Sequence, residues 1–93
     1  MIFFKCHNNW GTIVKYIYLI ESISNPTKHY VGLTADLNKR LANHNAGKSP
    51  HTANFRPWQI VVAICFADDK KATAFEKYLK SGSGYAFAKR HFW

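Results

Sequence analysis

Five residues spread over the chain carry the side chains of a hydrolytic centre: Tyr18, Tyr30, Arg40, His44 and Glu76. Two phenols and an imidazole can move protons, a guanidinium can neutralise phosphate charge, and a carboxylate can hold a hard divalent cation. Together these are the groups that phosphodiester hydrolysis requires, and the combination is more specific than any member of it. Arg40 and His44 stand four residues apart, so on a helix they share one face and can reach one ligand. Tyr16 and Tyr18 alternate, so on a strand both point to one face, where Tyr30 from a paired strand can meet them. Glu76 borders the apolar stripe Ala72, Phe75, Leu79, where it can act as an oxygen ligand for Mg²⁺ or Mn²⁺. Each residue also has a plainer reading. Arg40 and His44 can be solvated helix residues, and the tyrosines core rings with wet hydroxyls. Glu76 can simply pair with Lys80 at i+4, an interaction of about 0.3–0.5 kcal/mol. With five acidic residues in all, two carboxylates on one metal are not expected.

The elements that must position these groups follow from local pattern. Lys15 to Ile20 (KYIYLI) is β-branched and aromatic, and Tyr30-Val31-Gly32-Leu33 is a second short extended segment. Asn25-Pro26 and its small polar neighbours mark a turn between them, so the two strands form an antiparallel hairpin. Thr34 or Asp36 caps a helix with Leu37, Leu41 and Ala42 inward, which Ala46-Gly47 ends. Lys48 to Pro57 reads as a loop, and the apolar run Trp58 to Phe66 as a central strand covered on both faces. Asp68 and Asp69 start a second helix over roughly Lys70 to Lys80, stopped by Ser81-Gly82. Ser83 caps a short third helix through Tyr85, Phe87 and Phe92. The order β-β-α-β-α-α, without repeat or linker, predicts one α/β (α+β) sandwich of a small sheet covered by helices. Residues 1–14 form an N-terminal extension without an assigned role, ahead of a domain over 15–93.

Thirteen Lys and Arg against five Asp and Glu give a net charge of +8, a field strong enough on 93 residues to draw polyanions, nucleic acid first. A hydrophobic share of 47% excludes a disordered polar chain. Lys48, His51, Thr52 and Arg56 in the loop, with Lys77, Lys80, Lys89, Arg90 and His91 towards the C-terminus, can bracket a phosphate backbone. Ser49 and Asn54 add neutral donors. Such contacts position DNA without reading bases, so weak sequence preference and strong salt sensitivity are expected. Cys6 and Cys65 are far apart and form no metal-binding motif, so no disulfide scaffold or zinc site is expected, and a reducing cytoplasm fits. No apolar run approaches the roughly 20 residues of a membrane span, which predicts a soluble protein without a membrane partner.

Tyr16-Ile17-Tyr18 and Tyr30-Val31-Gly32, with Arg40 ten residues after Tyr30 and Glu76 on a later helix, resemble the GIY-YIG nuclease family over roughly Tyr16 to Phe92. The strings DLNKRLANHNAGKS and FEKYLKSGSGYAFAKRHF look most like its small stand-alone bacterial members, related to the N-terminal nuclease domain of the excision-repair incision subunit. The resemblance implies a three-stranded antiparallel sheet flanked by helices, and a DNA endonuclease using a single divalent metal, Mg²⁺ or Mn²⁺. It implies that Tyr18 or Tyr30 is the general base toward water, and that Arg40 neutralises the scissile phosphate. His44 would assist proton transfer or contact phosphate, and Glu76 would hold the metal, with no covalent intermediate. Family members are linked to repair, recombination or mobile DNA and often borrow specificity from attached domains, so a homodimer or a partner protein is expected to supply it here. Three positions depart from the pattern: Tyr16 stands at the first motif's leading glycine, Leu33 where some members carry lysine, and no asparagine follows Asn54. The nearest rival is therefore a nucleic-acid-binding module of the same fold with weakened catalysis, followed by a basic RNA-binding domain.

Overall fold

A computed structural model describes residues 14–93; the expected N-terminal extension, apart from Val14, lies outside the described residues. Strand β1 (Lys15–Ser22) and β2 (His29–Thr34) form the expected hairpin, followed by α1 (Leu37–Asn45), a single 3₁₀ turn (Ala53–Phe55), β3 (Trp58–Phe66), α2 (Asp69–Leu79) and α3 (Gly82–His91). The sheet is three-stranded and wholly antiparallel in the order β2-β1-β3. The turn closes as Asn25 predicts: its carbonyl accepts from the Lys28 amide at 2.9 Å and its side chain from the Thr27 hydroxyl at 2.7 Å.

Strand β1, not β3, is central, which corrects the expectation for the long apolar run. Every residue from Tyr16 to Ile20 is buried. Alternation sends Tyr16, Tyr18 and Ile20 to Leu37 and Trp58 on the α1 face, and Ile17 and Leu19 to Ala72, Leu79 and Ala88 on the α2–α3 face. Each fully buried aliphatic side chain contributes roughly 1.5–3 kcal/mol. An apolar run reports that both faces of a strand are covered; it does not report whether both of its edges are hydrogen-bonded. β3 is covered on both faces but paired only with β1. Its register shifts between Leu19 and Ile20, which pair with Val62 and Ile60, so Val61 is an extra residue and stands 39% exposed. This bulge flips the parity of the strand: Ile60 and Ala63 pack on the α1 face, Val62 and Ile64 on the other.

Helix α1 is capped by Asp36, whose side chain accepts from the Lys39 amide at 3.1 Å. Leu37 is buried as expected, but Ala42 is exposed and His44 takes the inward position. Asp68 caps α2 by accepting from the Lys70 and Lys71 amides. The third helix begins two residues earlier than expected, because Ser81 rather than Ser83 caps it, accepting from the Gly84 amide at 3.2 Å. Cys65 packs against the α1-face core; the other cysteine, and with it the expectation about a disulfide, lies outside the described residues. Among the described residues no helix is long and apolar enough to cross a membrane.

Candidate active site

The α1 face carries a chain of buried polar groups. The Tyr18 hydroxyl lies 2.8 Å from His44 Nε2, and His44 Nδ1 lies 2.7 Å from Thr52 Oγ1. All three side chains are essentially enclosed, at 2%, 2% and 0% exposure. The loop that brings Thr52 beneath the imidazole is fixed at both ends. Trp58 Nε1 donates to the Thr52 carbonyl at 2.8 Å, and the Asn45 side chain closes α1 onto β3 by accepting from the Trp58 amide at 2.6 Å. Proton positions follow from the partners. His44 Nε2 is the hydrogen-bond partner of the Tyr18 hydroxyl, and the donation of the Thr52 hydroxyl to a backbone carbonyl leaves Thr52 to accept from the imidazole, so Nε2 accepts the phenolic proton. Nδ1 then carries the imidazole proton and donates to Thr52, whose own hydroxyl turns to the Ser49 carbonyl at 3.5 Å.

Gly32 makes room for this arrangement. It pairs with Tyr18 across the β1–β2 ladder, and a Cβ built on it would fall on the Tyr18 ring and hydroxyl. Only glycine lets the phenol lie over the β2 backbone on its way to His44. Tyr30, opposite Ile20, sits diagonally to Tyr18, with ring centroids 6.3 Å apart and 5.1 Å from the His44 ring. Tyr30, Arg40 and His44 line one cavity of about 200 Å³ with Asn43, Lys48 and Ser49.

Electrostatics separate the groups. Burial, then Tyr30, push the Tyr18 phenol up to about 12, against the opposing pull of Arg40; Glu76 also raises it. Burial and the Arg40 charge push His44 below its usual value, so its imidazole is neutral at pH 7 and able to accept a proton. Glu76 is close enough to act on Tyr18 and pairs with Lys80 at 3.4 Å, while the Lys80 ammonium stands 5.6 Å from the centre of the Tyr30 ring. Thus Tyr18, Tyr30, Arg40 and His44 meet at one place, and the C-terminal half of α2 brings Glu76 and Lys80 to the β2 edge of it. The pairing of Glu76 with Lys80 expected of a plain surface carboxylate is present.

The donors suit a hard cation in its leanest form. Among the described residues no group of three or more His, Cys, Asp or Glu could hold a metal ion. Glu76 alone remains, consistent with Mg²⁺, which commonly takes one or two carboxylates together with water and substrate phosphate.

The residues expected along a DNA backbone divide. Lys48 lines the cavity. Thr52 lies behind His44 with its hydroxyl committed, away from solvent. Arg56 is exposed but tied to the Ala53 carbonyl at 2.8 Å, and its guanidinium rests on Gly47, whose φ of 78° favours glycine. Lys77 is exposed on the last turn of α2, and Lys89 and Arg90 on that of α3. Asn43 was not singled out from sequence, although Arg40, Asn43 and His44 share the i, i+3, i+4 face that signals it. The link from Thr52 to His44 has no local signal.

Residues 14–87 match the family model of the GIY-YIG catalytic domain. The chain belongs to the GIY-YIG family. It is 35% identical over 66 residues to a UPF0213 protein of Streptococcus pneumoniae serotype 4, covering 70% of this chain and 65% of that protein. A UPF0213 protein of Streptococcus pyogenes serotype M3 is 35% identical over 70% of each chain. The structure-specific endonuclease subunit SLX1 of Scheffersomyces stipitis is 36% identical over 67 residues, 64% of this chain and 20% of that protein. The GIY-YIG chain thus spans just under two thirds of the pneumococcal relative and a fifth of the yeast one. The departures now have places: Tyr16 packs beside Tyr18 in the α1-face core, and Leu33 packs on the opposite, α2–α3 face.

Proposed function

We propose that this GIY-YIG chain is a DNA endonuclease that hydrolyses a phosphodiester with a divalent cation held at Glu76. The observation that carries the reading is the hydrogen-bonded chain Tyr18–His44–Thr52 standing against Arg40 and the cavity. A phenol raised to about 12 is almost never ionised at neutral pH, so Tyr18 does not act as a standing phenolate. It acts as a relay instead. Tyr18 takes a proton from the attacking water while passing its own to neutral His44, and Thr52 holds the imidazole in the tautomer that can accept. An acceptor within hydrogen-bond reach of Tyr18 supports Tyr18 rather than Tyr30 as the base, with Tyr30, lining the cavity, orienting the phosphate and the water. Water approaches Tyr18 along Arg40, which neutralises charge building on the phosphate, a role typically worth roughly 3–4 kcal/mol. The cation supplies Lewis-acid stabilisation of the phosphate and leaving oxygens. Lys48 and the lysines of α2 and α3 hold the flanking backbone without reading bases.

The similarity to the SLX1 subunit supports structure-selective cutting, of use in repair or recombination, with a second copy or a partner protein completing specificity. The Lys80–Glu76 pair favours one rival reading, a DNA-binding module whose carboxylate is not free for metal. The two separate when plasmid, flap and single-stranded DNA are incubated with protein in Mg²⁺ or Mn²⁺. The endonuclease reading expects cleavage that Arg40→Ala lowers about 100- to 1,000-fold and Glu76→Gln abolishes. Absence of cleavage by the unaltered protein, or equal cleavage by the variants, overturns it.

A further inference from the structure

A second cleft, of about 250 Å³, opens on the other side of Tyr30 from the catalytic cavity. Its walls are mostly flat or apolar: Tyr30 and Val31 of β2, Leu79 of α2 with Lys80 at its C-terminal cap, Tyr85 of α3, and Trp93. Three features set it apart from a chance groove. The Trp93 and His29 rings lie parallel, 3.8 Å between centroids and 4° between planes, which forms a flat aromatic wall, and Glu21 contacts His29 at 3.0 Å. Tyr85 is 59% exposed, so its ring face is open to a ligand in the cleft. Tyr30 lines both cavities, so this cleft adjoins the one that Arg40 lines. The walls offer aromatic faces for stacking, and the charge of Lys80 at the junction matches a backbone phosphate rather than a neutral or basic guest.

We infer that this cleft binds an unpaired DNA base adjoining the scissile phosphate, by stacking against Tyr85 and the Trp93–His29 wall. The inference rests on the nuclease reading for the position of the phosphate. A base inside a duplex is stacked on its neighbours and cannot enter; a base in a single strand, flap or junction can. The cleft therefore assigns the substrate class as DNA with a single-stranded stretch at the cut site, and selects by strand structure rather than by sequence.

The test is binding without metal, in EDTA, measured by anisotropy of fluorescent oligonucleotides, single-stranded and duplex, at matched salt. Tyr85→Ala is expected to weaken single-stranded binding about 5- to 100-fold and duplex binding less than twofold, and Tyr85→Trp to restore it. Trp93→Phe, which keeps a stacking ring, serves as a second variant and is expected to lose less than Tyr85→Ala. A 2-aminopurine base in the single strand should be quenched on binding to the unaltered protein and not to Tyr85→Ala. Equal loss for both DNA forms, no loss for either, or tighter binding of the matching RNA overturns the inference. Stacking without any cleavage in Mn²⁺ would leave the cleft and remove the nuclease reading; cleavage with no effect of Tyr85→Ala would do the reverse.

Discussion

The two faces of β1 come from one strand and yet are built on different principles. Toward α2 and α3, Ile17 and Leu19 meet Ala72, Leu79 and Ala88, and the contacts are apolar throughout. Toward α1, the same strand sends in Tyr18, which must find His44, which must find Thr52. Among the described residues no buried side-chain nitrogen or oxygen lacks a partner, so this polar chain is complete. A complete network can be buried at little net cost, whereas a half-satisfied one is worse than an apolar core. The contrast teaches that stability and chemistry are divided by face: one side tolerates change according to volume, the other according to hydrogen-bonding capacity.

The sharpest break of that contrast is Leu19→Ala, which should lower unfolding free energy by about 2–5 kcal/mol with an unchanged denaturant slope. A loss below about 1 kcal/mol would show that the apolar face does not hold the fold. On the other face, Tyr18→Phe keeps the volume and removes one hydroxyl. It should cost only about 1–3 kcal/mol of stability, by leaving His44 Nε2 unpaired, while slowing cleavage about 100-fold or more. Tyr30→Phe should slow cleavage less; the opposite ranking would make Tyr30 the base.

A smaller effect separates the faces by pH. His44 is held below its usual value in the folded state, so the unfolded chain binds its proton first as pH falls. The contribution of neutral His44 is complete above about 6.5, the ordinary imidazole value, and is lost as pH drops from there toward the lowered folded value. Denaturation midpoints should fall across that window with a slope of at most about 1.4 kcal/mol per pH unit, and His44→Gln should remove this component. An unchanged slope in the variant would mean that His44 is not the group that titrates. Smallest of all, Val61→Thr at the exposed bulge should change stability by less than about 0.5 kcal/mol, since the side chain serves neither face.

Much of this was legible in the sequence because it is local. Alternation at Tyr16 to Ile20, the Asn25-Pro26 turn, and the capping aspartates Asp36 and Asp68 each act within a few residues, and each element formed where they predict. Arg40 and His44 four apart, and Glu76 at the edge of its stripe, placed the candidate groups on the correct elements for the same reason. What was not legible is long-range. Which strand is central depends on pairing between β1 and β3, and the bulge at Val61 exists only relative to Leu19 and Ile20. His44 looked like a solvated residue because its partners, Tyr18 and Thr52, come 26 residues before it and eight after it.

The central claim is that Tyr18 and His44 work as one proton-transfer unit, and a double-mutant cycle on single-turnover cleavage addresses it directly. Rates of the unaltered protein, Tyr18→Phe, His44→Gln and the double variant would be compared on one flap substrate in Mn²⁺. Groups that act as a unit are strongly non-additive, so the double variant should be no slower than the slower single one. Losses that multiply, or a Tyr18→Phe protein that cleaves at the unaltered rate, would contradict the account.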